Sequence, residues 1–400
     1  MGTKLFTQAK PILEKIEHHG FEAYFVGGSV RDYLMDRPIH DIDITTSATP
    51  DEIESIFDKT IPIGKEHGTI NVLYEGTNYE VTTFRAESDY VDHRRPNEVY
   101  FVRDLKEDLQ RRDFTINAIA MDKDFKIYDY FDGQTALQQQ IITTVGTPHE
   151  RFDEDALRIL RGVRFQSQLN FTISHHTFEA MQHHIADIEF LSIERIVVEL
   201  KKLIQGQNVS ESYTTLLTLN FFNYVPFFKD LDMKATRINA PISFELWLAI
   251  LKTIEQSDTP LSSLKISNKE KAKINQYHKL LLEMPKISTK NQLQLFVYDY
   301  GASNILDIID IIPLLKENNI KVASPLIFNY QSIKEINHQL PIKSRKALNI
   351  NGGDILKVVS KKSGPWLKEV LRQIESEVVT HKVSNSKDEL LKWVKENVKI

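Results

Sequence analysis

Apolar residues in the first third of the chain come in short strand-like runs. "YFVGG" (24–28), "DIDIT" (41–45), "GTINVLY" (68–74), "YEVTTF" (79–84) and "EVYFV" (98–102) are rich in β-branched and aromatic residues, with Glu75-Gly76 and Asn78 as turn signals between two of them. This pattern predicts a small mixed sheet with flanking helices. From about Glu150 the pattern changes to helical periodicity, as in "EDALRILRGVRFQSQL" (154–169) and "SIERIVVELKKLI" (192–204), where Ile193, Ile196, Val197 and Leu200 share a face. Strand patterns nearly vanish after that point, and no 20-to-50-residue repeat suggests a solenoid. Breaker residues at 146–148, 206–208 and 318–324 suggest domain boundaries. The expected class is α+β: a small mixed-sheet head over 1–140, then an elongated all-helical remainder divided into 141–206, 207–320 and 321–400.

Composition narrows the chemistry. The 400 residues contain no cysteine, which leaves carboxylates, histidines and hydroxyls for catalysis or metal binding and suits a reducing cytoplasm. No run approaches the roughly 20 apolar residues of a membrane span, and the charged, amphipathic N-terminus has no signal-peptide core. A net charge of -5 argues against coating a polyanion non-specifically, so such a partner must be met by a local basic surface.

The stretch "YFVGGSVRDYLMDRPIHDIDITTSA" (24–48) concentrates the candidates. Asp41 and Asp43 alternate with Ile42 and Ile44, so an extended backbone presents both carboxylates on one side. Two such carboxylates repel unless an oxygen-loving divalent ion lies between them, and Mg2+ is usually held by one or two carboxylates plus substrate phosphates. Gly27 and Gly28 end the strand and allow close approach of an anion, Ser29 to Asp32 begin a helix, and Arg31 adds a cation. Asp32 orients Arg31 or caps locally. Glu80 alternates with Val81 and either faces Asp41 and Asp43 across the sheet or is an ordinary exposed strand glutamate. A polar strand face and a plain turn would explain a lone D-x-D and a lone Gly-Gly. Their succession as strand, Gly-Gly, helix and D-x-D points to phosphoryl or nucleotidyl transfer.

With these residues assembled, the sequence resembles the DNA polymerase β-type nucleotidyltransferase superfamily and, within it, the class II tRNA nucleotidyltransferases, the bacterial CCA-adding enzymes. "GGSVRD" and "DID" are similar to the family's metal and triphosphate motif, "RRDFTINA" (111–118) to its ribose motif and "RFDEDALRILRGVRF" (151–165) to its nucleotide-selecting helix. "SIERIVVEL" (192–200), "PIKSRKALNINGGDIL" (341–356) and "KKSGPWLKEVL" (361–371) extend the likeness over nearly the whole chain. The resemblance implies a head, neck, body and tail with tRNA lying along them. It also implies CTP and ATP as substrates, tRNA lacking part or all of its 3′ CCA as acceptor, and a pair of Mg2+ ions at Asp41 and Asp43; Glu80 stays the candidate third catalytic carboxylate on its strand position alone. Nucleotide binding would fall to Gly27, Gly28, Ser29, Arg31, Asp32, Arg111, Arg112, Asp113, Asn117, Glu154, Asp155, Arg158, Arg161 and Arg164.

Each implied role has a chemical basis and a plainer counterpart. Asp113 can accept from a ribose hydroxyl and the arginines before it can reach phosphate, or the segment is a surface ion pair with a helix cap. On a helix from Glu154 to Gln168, Asp155 and Arg158 share a face. Cytosine and adenine both present an exocyclic amine beside an unprotonated ring nitrogen, so Asp155 would accept from the amine while Arg158 donates to the ring nitrogen. Uracil and guanine present the opposite pattern and are refused. Glu154 and Arg161 would hold that pair in place. Taken alone, the pair is a solvated salt bridge.

The segment from Arg85 to Phe101, with Asp92, Arg94 and Arg95, is expected as a flexible loop. In this class the enzymes that add only two cytidines lack it. The basic stretches "KISNKEKAKINQYHKL" (265–280) and "PIKSRK" (341–346) suit a phosphate backbone or simply solvent. Four other readings stand beside CCA addition: an A-adding enzyme, a poly(A) polymerase, a silent tRNA-binding protein, and a phosphohydrolase suggested by His40-Asp41. The poly(A) polymerases carry Gly-Arg-Arg-Phe before His-Val, where this chain has "IGKEHGTINV" (63–72).

Overall fold

The computed structural model describes residues 2–87, 90–91, 95–96, 99–256, 259–317, 329–359 and 362–398. Asp92, Arg94 and the boundary at 318–324 lie outside the described residues, as does the side chain of Arg95. The backbone forms two compact units, Met1–Phe244 with Pro260–Lys265, and Glu245–Thr259 with Ile266–Ile400.

The first unit begins with α1 (Gly2–His18), β1 (Ala23–Val26), α2 (Gly28–Leu34), β2 (Asp43–Thr46), α3 (Pro50–Ile56), β3 (Thr60–Ile61), β4 (Thr69–Tyr74) and β5 (Thr77–Thr83). Next come β6 (Arg85–Glu87), β7 (Tyr90–Val91), β8 (Arg95–Pro96), β9 (Val99–Phe101), α4 (Leu105–Gln110), β10 (Ile119–Met121), β11 (Ile127–Asp129), α5 (Gly133–Gln139) and β12 (Ile141–Ile142). Seven strands form one mixed sheet in the order β11-β10-β1-β2-β5-β4-β3, in which only the β2–β5 pair is parallel. Alternation along the strands explains its two faces. Phe25, Ile44, Ile70, Val72 and Val81 enter one core with Phe6 and Leu13 of α1, while Val26, Phe84 and Ala120 enter another with Leu105 and Leu109 of α4. Glu75 and Gly76 both have positive φ, which turns β4 into β5 with the twist that antiparallel strands require. Within the stretch expected as a flexible loop, the described residues form two short antiparallel pairs, β6–β9 and β7–β8.

The rest of this unit is largely helical: α6 (Pro148–Glu154), α7 (Leu157–Leu169), the short β13 (Thr172–Ile173), α8 (His175–His184), α9 (Ile193–Ile204) and α10 (Val209–Thr218). The helix expected from Glu154 to Gln168 is interrupted. Asp155 is extended (φ -146°, ψ 103°) and closes α6, and its carboxylate accepts from the Leu157 amide at 3.0 Å to start α7. Asp155 and Arg158 therefore do not share a continuous helix face. Two glycines fix α7 against its neighbours: a Cβ at Gly162 would lie 2.9 Å from the Phe114 ring, and one at Gly206 would lie 2.1 Å from Ser167 Oγ.

The second unit is helical throughout its described residues. It takes in most of α11 (Phe244–Ile254), then α12 (Asn268–Glu283), α13 (Lys290–Tyr300), α14 (Ala302–Glu317), α15 (Tyr330–Gln339), α16 (Gly352–Val359), α17 (Trp366–Val379) and α18 (Lys387–Asn397). Capping boxes Ser267/Glu270 and Thr289/Gln292 start α12 and α13. The buried Glu375 accepts from Tyr298 Oη at 2.9 Å and from Arg345 Nε at 2.8 Å, so the arginine of the basic "PIKSRK" stretch is partly spent inside the fold.

Candidate active site

A cleft of about 650 Å³ in the first unit is lined by Gly27, Gly28, Arg31, Asp43, Arg85, Arg111, Arg112, Asp113, Asn117, Asp155, Leu157, Arg158, Arg161, Arg164, Phe165, Arg195 and Lys202. Nine of these are cations and three are carboxylates, a balance that suits a polyanion. Asp43 also borders a second cleft, which holds Asp41, Glu80 and His40.

The acidic group follows from register. Asp43 pairs with Glu80 across the parallel β2–β5 ladder, and the exposed Asp41 precedes β2 by two residues, where the alternation of buried and accessible positions continues. Burial pushes the Asp43 carboxyl above the ordinary range, and the charges of Glu80 and Asp41 add to it; Arg112 and Arg31 only partly offset the rise. Carboxylates at these three positions are hard oxygen donors, the kind that a divalent cation takes. Gly27 completes the cradle. Its φ of 72° and ψ of -135° are reserved for glycine, and a Cβ would stand 3.3 Å from Arg112 Nη1 and 3.7 Å from Asp43 Oδ2. The Ser29 hydroxyl is turned back onto the Val26 carbonyl at 3.0 Å, where it closes the start of α2.

The arginines are held by a buried polar framework. Arg31 donates to Asp32 at 2.9 Å and to Asn117 at 2.8 Å, so Asp32 does orient it. Asp113 accepts from the Phe114 amide at 2.8 Å, from Asn117 at 3.2 Å and from Arg161 Nε at 2.6 Å. Burial alone would raise the Asp113 carboxyl, yet the Arg161 guanidinium and these hydrogen bonds bring it down to about 2. Arg31, Arg161 and Arg164 surround the Phe165 ring at 5.4, 5.6 and 4.0 Å. Asp155 accepts from Arg195 at 2.7 Å, while Arg158 is engaged by Glu154 and by the carbonyls of Arg151 and Arg111. Arg161 thus supports Asp113 rather than the Asp155 and Arg158 pair expected of it. Arg85 donates to the His67 carbonyl at 2.6 Å. Among the described residues the buried Nε of Arg112 has no hydrogen-bond partner, a donor available to a ligand.

Three supporting residues were not foreseen. The fully buried Asp108 accepts from Arg111 Nη2 at 2.9 Å and Arg112 Nη2 at 3.2 Å, Glu199 accepts from Arg164 at 2.5 Å, and Arg195 holds Asp155. Their signal is faint in the sequence. Asp108 stands three and four residues before the two arginines, and Glu199 interrupts the apolar stripe of α9.

Comparison with known proteins identifies the family. A family model described as the poly A polymerase head domain matches residues 23–143, one for a probable RNA and SrmB-binding site of polymerase A matches 170–231, and one for a putative second domain of tRNA nucleotidyltransferases matches 242–394. A CCA-adding enzyme of Staphylococcus haemolyticus is 78% identical over 400 residues and one of Staphylococcus epidermidis 58%, with all of each chain covered. The crystal structure of the Bacillus stearothermophilus CCA-adding enzyme in complex with CTP superposes with a TM-score of 0.82 at 33% identity, over 98% of this chain and 97% of that one. Identity of this extent, from the first residue to the last, means that the chain belongs to the class II tRNA nucleotidyltransferases, the CCA-adding enzymes.

Proposed function

We propose that this chain adds C, C and A to the 3′ end of tRNA, taking CTP and ATP and releasing pyrophosphate without a nucleic-acid template. The observation that carries the reading is the meeting at Asp43 of two unlike clefts, one acidic through Asp41 and Glu80, the other lined with arginines. Nucleotidyltransferases generally use a divalent metal; here Asp41 and Asp43, with Glu80, would hold two Mg2+ ions, which supply activation of the tRNA hydroxyl and charge stabilisation at the leaving oxygen. Arg31, Arg111 and Arg112 would receive the triphosphate, their guanidinium groups held ready by Asp32, Asn117 and Asp108. Asp155 and Arg158, fixed by Arg195 and Glu154, would read the base edge. A base that leaves both groups unpaired loses about 1–3 kcal/mol for each.

The tRNA would be met by residues of 207–320 and 321–400, and recognised by shape and backbone, since one enzyme must serve many tRNAs. No helix among the described residues is long and apolar enough to cross a membrane, and we place the activity in the cytoplasm.

The test is incorporation on a tRNA transcript lacking its last three nucleotides, with Mg2+ and each labelled triphosphate alone, then with CTP and ATP together. Three added residues ending in A support the reading. Addition of A only to tRNA already ending in CC makes this an A-adding enzyme, a long A tail makes it a poly(A) polymerase, and no addition under any mixture removes the catalytic reading. Asp43→Ala should abolish incorporation while the circular dichroism spectrum stays native.

A further inference from the structure

Away from the cleft, three imidazoles converge where α6 packs on α8. His149 is the second residue of α6, and His183 and His184 end α8; one ligand nitrogen from each lies within 4.8 Å of the other two. The three rings lie steeply inclined to one another, at 60° to 77°, with centroids 5.0 to 5.4 Å apart. His149 Nδ1 stands 3.4 Å from His184 Nε2. Two imidazole nitrogens bound to one tetrahedral Zn2+, each at about 2.05 Å, stand about 3.3 Å apart.

A fourth residue supplies what a metal-binding histidine usually has. Asp187 lies in the 3₁₀ turn after α8, with a carboxylate oxygen 3.0 Å from His184 Nδ1. That contact places the proton of His184 on Nδ1 and leaves the Nε2 lone pair facing His149, the carboxylate–histidine arrangement found behind zinc ligands. His184 is little exposed, whereas His149 and His183 reach solvent and can close on an ion without disturbing the core. A second group, His175, His176 and Glu179, shows the contrast. Both of its histidines are almost fully exposed and both compete for the one Glu179 carboxylate, so nothing fixes a ring in place.

We infer that His149, His183 and His184, with Asp187 orienting His184, form a Zn2+ site distinct from the carboxylates at Asp41, Asp43 and Glu80. Imidazole donors in tetrahedral array favour Zn2+ over Mg2+, which takes oxygen ligands in octahedral geometry. The ion ties the first turn of α6 to the end of α8, and α6 is the helix that ends at Glu154 beside Arg158.

The experiment is a Zn2+ titration of the full-length, EDTA-treated protein against a chromophoric chelator, with Co2+ as a spectroscopic substitute. One tight equivalent is expected, and Co2+ should give the intense visible bands of a tetrahedral centre. His149→Gln and His183→Gln, both at exposed positions, should weaken Zn2+ binding about 100-fold or more, and Asp187→Asn by about 10- to 100-fold. Asp43→Asn should leave it unchanged. No tight equivalent in the unaltered protein would overturn the proposal. So would an equivalent that survives both histidine variants, or one that disappears with Asp43→Asn.

Discussion

Replacing Asp108 by Asn keeps the size of a fully buried side chain and removes one negative charge. The carboxylate accepts from Arg111 Nε and Nη2, from Arg112 Nη2, from the Thr45 hydroxyl and from the Arg85 amide. An amide offers one oxygen and one NH2, so part of this fan of donors would meet another donor. The two arginine side chains, only 15% and 19% exposed, would also lose their shared counter-charge. Breaking a buried pair by removing one partner costs 3–5 kcal/mol, and we expect about 4 kcal/mol here, a large part of the 5–15 kcal/mol typical of a folded chain. Urea unfolding at pH 7 measures this directly. Burial would raise the Asp108 carboxyl, but Arg111 and Arg112 outweigh it and hold the group below its ordinary value. Its contribution is therefore complete above about pH 4 and is lost as pH falls through the lower, folded-state value. The gap between the unaltered protein and Asp108→Asn should narrow in step. In the incorporation assay, loosened Arg111 and Arg112 should cost about 100-fold in kcat/KM for CTP, the scale of a 1 Å misplacement. A variant destabilised by less than about 1 kcal/mol, with kcat/KM intact, would refute the view that an ionised Asp108 anchors both arginines.

Three further outcomes follow from the cleft. Asp113→Asn should cost about 2 kcal/mol at neutral pH, from a carboxyl brought from 3.8 to about 2, with the loss fading between pH 4 and pH 2; unfolding curves at several pH values check this. Gly27→Ala imposes φ of 72° on a side-chain-bearing residue and crowds Arg112, so unfolding should show about 1–2 kcal/mol lost and incorporation should fall. Arg195→Ala releases Asp155 alone, so misincorporation of UMP and GMP should rise about tenfold while the rate with CTP stays within a few-fold, as competition assays with mixed triphosphates would show.

The sheet was legible in the sequence because alternation is a local property: Ile42 and Ile44 turn inward, Asp41 and Asp43 outward, and the same rule puts Glu80 beside Asp43 once β2 and β5 pair. The break at Asp155 was not legible. Apolar periodicity runs through it undisturbed, and the deciding event is a single hydrogen bond from the Leu157 amide to the Asp155 side chain. Asp108 and Glu199 escaped notice for a different reason. Each stands beside apolar neighbours on its own helix; Arg111 and Arg112 lie within a turn of Asp108, but that the group is buried against Thr45, and that Glu199 meets Arg164, becomes evident only when β2 and α7 are packed alongside. Arg161 lines the cleft but bonds Asp113 rather than the pair expected from the sequence, since three candidate carboxylates lie within reach of α7 and sequence spacing does not rank them.

The two glycines that seat α7 act as a mechanical stop. With Gly162 against Phe114 and Gly206 against Ser167, the helix that carries Arg158, Arg161 and Arg164 is seated by close contacts at glycines that do not line the cleft, and the position of those three cations depends on them. In a saturation mutagenesis screen scored by growth, both glycines should rank among the least tolerant positions although neither touches the cleft. Soluble yield, rather than turnover per molecule, is where their variants should fail.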